Sequence, residues 1–404
     1  MRIGIINTTD FGSTGNIAKK IGEALIKRGN QVILFCGQKR DKECLFSETI
    51  VCSKPANYFS NLASKMHGLD GFFNKNNTLN LIRRIKEFDP QVIHIHNLHG
   101  SYINLPVLMD YLSHTSIRLV FTMHDCWLFT GKCPYFDLVA CNQWESGCLD
   151  CPAKNSYPRS ILKPRVEYAY KTKKQSILKL TNNNCVFVSP SEWLNNLSKK
   201  SFLAELQTAS FFVINNGVDK SVFFKDECKR YDFRKENNIN DEIVFLAVAN
   251  PWSERKGLTI LNDLSLLLVD KNHIIYVAGL KEKDYTNNSI RRIGIVDKKQ
   301  LSNLYNGCDF FLNPSFEDNY PTTLLESIAC GTPVISFDSG GCKEIADQYG
   351  AVAEEKTAKG LFEIINKIEH KELLLKENTH ISSTEECAIK YANLILSLGE
   401  GYDS

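Results

Sequence analysis

The chain has 404 residues, with 48 Lys and Arg against 46 Asp and Glu, 43% hydrophobic and 23% charged positions, and 14 cysteines. That length exceeds one ordinary core, so two domains of about 150–200 residues are expected, and the balanced charge gives no bulk attraction for nucleic acid. Apolar runs such as Arg118–Met123 fall far short of the ~20 residues of a membrane span. Met1–Gly12 carries one basic residue and turns polar at once, unlike a secretory leader. A cytoplasmic protein with mostly reduced thiols is therefore expected.

In chain order, Arg2–Asn7, Gln31–Cys36, Gln91–Asn97, Arg118–Asp125, Cys185–Ser191 and Phe211–Gly217 read as buried parallel strands. Between the first two, GNIAKKIGEALIKRGN keeps its apolar residues on one helical face and stops at Gly29-Asn30. Asp219–Glu242 is polar and charge-rich and reads as a linker. A second series follows: Ile243–Asn250, His273–Gly279, Arg292–Val296, Cys308–Ser315 and Thr332–Asp338. Two runs of βα units predict two doubly wound, Rossmann-like α/β domains with ligands at the strand carboxyl ends, in a central cleft. The expected division is 1–218 with a Cys-rich insert at 126–152, the linker 219–242, a second domain over 243–380, and a terminal helix in 381–404 returning to the first domain.

The loop FEDNY leaves the strand Cys308–Ser315, and Pro321 then starts a helix. Free N–H groups of Thr322 and Thr323 at that helix start offer an anion site. Asp318 approaches from the loop, and Glu326 lies one turn into the helix. A diphosphate flanked by hydroxyl-rich rings suits such a set, whereas a plain solvated helix start would have the same residues.

The segment Asp318-x7-Glu326 followed by SIACGTPVISFDSGG resembles the Glu-x7-Glu signature of retaining GT-B glycosyltransferases. INNGVD (Ile214–Asp219), VSPSEW (Val188–Trp193) and ERKG (Glu254–Gly257) resemble that family's interdomain, strand-end and phosphate-loop motifs, in the family's order. The nearest resemblance is to the subgroup building bacterial exopolysaccharide, O-antigen, lipopolysaccharide and capsule. The first acid of the signature is here an Asp, and the family's Gly-Arg pair aligns with Asn250-Pro251, leaving Arg255 to supply that charge. The resemblance implies transfer of a sugar, with retention, from a nucleotide-sugar donor to a lipid-linked glycan, with no cofactor required for catalysis. Glu326 would take ribose hydroxyls, and Asp318 a hydroxyl of the transferred sugar. Lys256, with Arg255, would neutralise the leaving phosphate. Asn319, Thr322 and Thr323 would complete the donor site. Gly12 and Gly15, after the first strand, would let backbone approach a phosphate, although tight turns use the same residues. His124, ending the fourth strand, would hold the donor sugar or shape the acceptor pocket, with Asp125 orienting its ring. A nucleotide-sugar epimerase and a non-catalytic sugar-nucleotide or glycan-binding protein are the alternatives of other classes.

Three further features stand out. His94, His96 and His99 cluster in HIHNLHG, where packing and polar support are expected before metal ligation. Cys133, Cys141, Cys148 and Cys151 have a spacing ending in C-x2-C, open to a structural zinc, to unliganded thiols or to disulfides. Lys154, Arg159, Lys163, Arg165, Lys171, Lys173, Lys174 and Lys179 are interleaved with Tyr157, Tyr168 and Tyr170, against the single acid Glu167. This segment is expected either to lie on an anionic bilayer at the inner face of the plasma membrane or to be a solvated basic helix.

Overall fold

The computed structural model describes residues 1–52, 54–153, 157–269, 271–373 and 380–399. It divides into two units, Met1–Asn215 with the residues from Glu385 onward, and Asn216–Thr384.

Unit 1 is built on seven parallel strands: β1 (Arg2–Thr9), β2 (Gln31–Gln38), β3 (Ser47–Thr49), β4 (Val92–Ile95), β5 (Arg118–Thr122), β6 (Cys185–Ser189) and β7 (Ala209–Val213). Their order is β3-β2-β1-β4-β5-β6-β7, so the chain reverses direction across the sheet beside β1. Successive residues of a strand point to opposite faces, and both faces are covered, which is why these strands read as continuous apolar runs. Ile5, Val92, Val120 and Val186 pack with Leu25 and Tyr391 on one face. Ile93, Ile95, Leu119 and Phe187 pack with Leu81, Leu108 and Leu194 on the other. The helix Thr384–Gly399 belongs to the first of these layers, through Tyr391 and Ile395.

Unit 2 repeats the plan with six parallel strands: β8 (Ile243–Val248), β9 (His273–Ala278), β10 (Ile290–Arg292), β11 (Phe310–Asn313), β12 (Val334–Phe337) and β13 (Gly350–Ala353), in the order β10-β9-β8-β11-β12-β13. The strand expected over Arg292–Val296 lies earlier in the chain, pairing Ile290 with Ile275. The two short strands β3 and β13 were not expected at all, since Ser-Glu-Thr and Gly-Ala-Val-Ala hold a single branched apolar residue between them.

The expected linker is corrected outright. Asp219–Glu242 holds a helix, Glu227–Glu236, capped by the Asp226 carboxylate, which accepts from the N–H groups of Cys228 and Lys229 at 3.0 and 3.2 Å. Phe233 is its buried anchor, edge-on to Tyr276 at 5.5 Å and seated on Gly307, where any Cβ would collide with its ring. Its apparent polarity has a partner: Arg230 and Arg234 both pair with Asp309, at 2.5 and 3.2 Å.

Candidate functional site

In unit 2 the residues expected to meet a donor gather at the carboxyl ends of β8 and β11. After β8 the chain makes a short 3-10 turn, Glu254–Lys256, that ends on Gly257. Gly257 has φ +73°, and a Cβ there would stand 2.2 Å from the Pro314 carbonyl oxygen, so only glycine brings this turn against the loop after β11. Arg255 and Lys256 are thereby set against Asp318: the Lys256 ammonium hydrogen-bonds its carboxylate, and Arg255 lies 3.6 Å from the same oxygen. Phe316 N–H donates to the Arg255 carbonyl at 2.9 Å and locks the two loops together. Burial alone would discourage the Asp318 charge, but Lys256, Arg255 and the Asn319 N–H outweigh it and hold the carboxyl below the usual carboxylate range. The three side chains keep one net positive charge, which favours an anion.

Pro321 stands one position before the helix Thr322–Ala329, which begins with neither a side-chain cap nor an acid in its first turn. Asp318 and Gly340 pack backbone to backbone, since a Cβ on Gly340 would lie 2.1 Å from the Asp318 carbonyl oxygen. Glu326, one turn in, accepts from the Tyr305 hydroxyl at 3.2 Å. Burial pushes its carboxyl up to about 7, against the smaller opposing pull of Tyr305, Lys298 and Thr322. Asn216 donates to the Tyr320 carbonyl at 2.9 Å and steadies the loop. Its place in INNGVD carried that signal, whereas nothing in the sequence pointed to Tyr305.

In unit 1 the strand ends carry histidines. His124 follows β5, and its Nε2 lies 2.9 Å from Nδ1 of His96, which follows β4. His94 Nε2 pairs with the Thr122 hydroxyl at 2.8 Å, and its ring lies 4.2 Å from that of His96. Burial lowers all three, His124 to about 4, so these imidazoles are neutral at pH 7. Asp125 does not orient His124 as expected. Its carboxylate binds His99 Nε2 at 3.0 Å and accepts from the Trp127 N–H at 2.9 Å, while His96 holds His124. Gly12, at φ +72°, opens the helix that follows β1, and Gly15 is pressed against the Asp10 backbone.

The four cysteines of the insert form no disulfides with one another. Among the described residues, no three His, Cys, Asp or Glu side chains are arranged to hold a metal ion. Cys133, Cys141 and Cys148 instead pack on the aromatic core around Phe129, Phe136 and Trp144. The Cys148 sulfur accepts from the Gly131 N–H at 3.2 Å. Cys133 and Cys151 share a hydrogen bond, which lowers the thiol that accepts it and raises the one that donates. One thiol of the Cys133–Cys151 pair is therefore expected to alkylate ahead of Cys148, whose thiol burial raises, as iodoacetamide labelling at pH 7 with peptide mass mapping would show. Equal labelling of all four would contradict the pairing.

The basic segment does not form one continuous basic face among the described residues. Lys154 lies outside the described residues. Lys173 is fully buried, donating to the carbonyls of Trp127 and Thr130 at 2.7 and 3.0 Å, with its ammonium 3.5 Å from the Trp127 ring centre. Burial lowers its pKa to about 7. Lys171, Lys174 and Lys179 pair with Glu167, Glu205 and Asp110. Only Arg159, Lys163 and Arg165 stay exposed and out of ion pairs among the described residues.

Residues 14–222 match Glycosyltransferase Family 4, and residues 230–385 match Glycosyl transferases group 1. The chain is 27% identical over 277 residues to WcaC of Escherichia coli (strain K12), named as a colanic acid biosynthesis glycosyl transferase, covering 66% of this chain and 65% of that one. It is 28% identical over 196 residues to the N,N'-diacetylbacillosaminyl-diphospho-undecaprenol alpha-1,3-N-acetylgalactosaminyltransferase of Campylobacter jejuni, covering 45% of this chain and 50% of that one. These matches span about half to two thirds of the relatives' length. Among solved structures, the sucrose-phosphate synthase of Thermosynechococcus elongatus aligns over 99% of this chain and 98% of its own, with TM-score 0.64 and 14% identity. WaaG, a glycosyltransferase involved in lipopolysaccharide biosynthesis, aligns over the same shares with TM-score 0.61 and 14% identity. HepE of Anabaena, solved with UDP-glucose, has TM-score 0.58 and 15% identity over 99% of this chain and 98% of its own.

Proposed function

Because this chain belongs to Glycosyltransferase Family 4, we propose that it moves a sugar from a nucleotide-sugar donor to a lipid-linked glycan, with retention, in the synthesis of a bacterial surface polysaccharide. The observation that carries this reading is the Asp318 carboxylate held between Lys256 and Arg255 beside an uncapped helix start. As the sugar–phosphate bond breaks, charge builds on the leaving diphosphate. In this reading Lys256, Arg255 and the first N–H groups of the helix Thr322–Ala329 stabilise that charge. Asp318 accepts a hydroxyl of the donor sugar, and Glu326 accepts from the ribose. Unit 1 supplies the acceptor side, where His124, kept neutral, gives or takes one hydrogen bond without bringing a charge. A lipid-linked acceptor is supported by the printed name of the Campylobacter relative, and a nucleotide-sugar donor by the structurally similar UDP-glucose complex.

The test combines a panel of nucleotide sugars with a bacterial extract of lipid-linked oligosaccharides, reading nucleotide release and glycan mass. One donor is expected to give acceptor-dependent release, and the proton coupling constant of the product anomer is expected to match that of the donor. An inverted anomer would refute retention, and donor binding without release on any acceptor would leave a binding protein.

A further inference from the structure

The helix Lys54–His67 turns apolar side chains toward solvent. Tyr58 and Phe59 are 68% and 67% exposed, and Leu62 is exposed one turn on. Spacings of three and four residues put them on one face, which Lys65 continues. Soluble helices point such a stripe inward. The neighbouring segment extends the patch: the N–H groups of Ile161 and Leu162 donate to the Lys65 and Met66 carbonyls at 2.9 Å, and Ile161 is 62% exposed. Lys65, Arg159 and Lys163 stand exposed around these residues, and none of the three pairs with a carboxylate among the described residues. Apolar side chains ringed by uncompensated positive charge match an anionic lipid surface, with the rings at headgroup depth and the charges on phosphates.

The patch also connects to the histidine end of unit 1. Its helix runs directly into Gly68–Gly71, where a Cβ on Gly71 would collide with the Trp127 ring. The Asp70 carboxylate binds the N–H groups of Gly100 and Ser101 at 2.9 and 2.6 Å, one residue beyond His99. The geometry points to a bilayer-docking surface formed by the exposed face of Lys54–His67 and the segment 159–165, next to the strand ends that carry His99 and His124. The choice of a bilayer as occupant gains its sense from the lipid-linked acceptor proposed above, whereas the surface itself is read from exposure and charge.

Docking is read by flotation of the full chain with vesicles of phosphatidylcholine, with or without phosphatidylglycerol at about one third, in the absence of any sugar. The protein is expected to float only with the anionic vesicles at low salt. Lys65→Glu/Arg159→Glu/Lys163→Glu should weaken binding by about 10²-fold or more at low salt. Tyr58→Ser/Phe59→Ser/Leu62→Ser should abolish it, with an unchanged circular dichroism melt because these side chains are exposed. Lys171→Glu/Lys174→Glu, on the ion-paired helix, should bind like the parent. No flotation with either vesicle, parental binding by both triple variants, or a dimer in sedimentation velocity that Phe59→Ser dissolves would overturn the proposal. Flotation needs no donor, so failed transfer with intact flotation would strike the function alone, and the reverse outcome would strike this surface alone.

Discussion

Glu326→Gln is expected to lower sugar transfer by about 10²-fold or more while the protein stays folded. The amide keeps the shape of the side chain and its contact with Tyr305, yet it is a weaker acceptor for donor hydroxyls than a carboxylate. The same residue predicts a pH dependence. Its carboxyl is raised by burial from 4.5 to about 7 in the folded protein. Between those values the folded chain holds more protons than the unfolded one, so this group's stabilising contribution is present below about 4.5 and lost as pH rises through about 7. Donor hydroxyls favour the ionised carboxylate, so donor affinity should run the other way and strengthen as pH rises through about 7. Calorimetric donor titrations from pH 5.5 to 8.5 check this. The parent should show the rise, the Gln variant should be flat, and a Gln variant with parental turnover and affinity would remove Glu326 from the site.

Lys256→Ala is expected to cost about 10³-fold in turnover, as when a charge-stabilising group is lost from a transition state. It should also cost about 3 kcal/mol of stability, because the buried Asp318 would then keep only the Asn319 N–H and one cation, Arg255, 3.6 Å away. Those two losses should separate. Adding Asp318→Asn removes the stranded charge, so the double variant should regain most of the lost melting temperature and none of the activity. A single variant with unchanged turnover would hand the leaving-group role to Arg255. A double variant no more stable than the single one would mean that the ion cluster is not what Lys256 holds in place.

Most strands were legible because both faces of each sheet are covered, so β1, β2, β8 and β9 stand out as unbroken apolar runs with sharp polar ends. The loop after β11 was legible for another reason: Asp318, Pro321 and Glu326 have fixed spacing along one loop and helix, so no distant part of the chain was needed to bring them near each other. What failed was non-local. The charges of Glu227–Glu236 looked solvated because their partner, Asp309, lies more than seventy residues away. Lys173 looked like part of a basic helix face because the carbonyls that hold it belong to Trp127 and Thr130. Asp125 seemed the natural partner of its neighbour His124, yet each met a histidine from the β4 end instead, a pairing across strands that the local sequence does not show.

The helix Thr384–Gly399 closes a sheet whose strands all lie before residue 214, and its Tyr391 stacks on His94 at 5.5 Å. Seen from the ribosome, unit 1 is begun before unit 2 and completed after it. The whole of Asn216–Thr384 is made in between, a delay of roughly 10–30 s at the usual pace of translation. Through that interval Val92, Val120 and Val186 have no lid from Tyr391 and Ile395, while unit 2 already has its entire sequence and is free to fold. A nascent chain of this protein thus passes through a stage with a finished second half and an open first half. A stop codon near residue 384 would make that stage permanent, a lesion of the first unit caused by losing residues that follow the second.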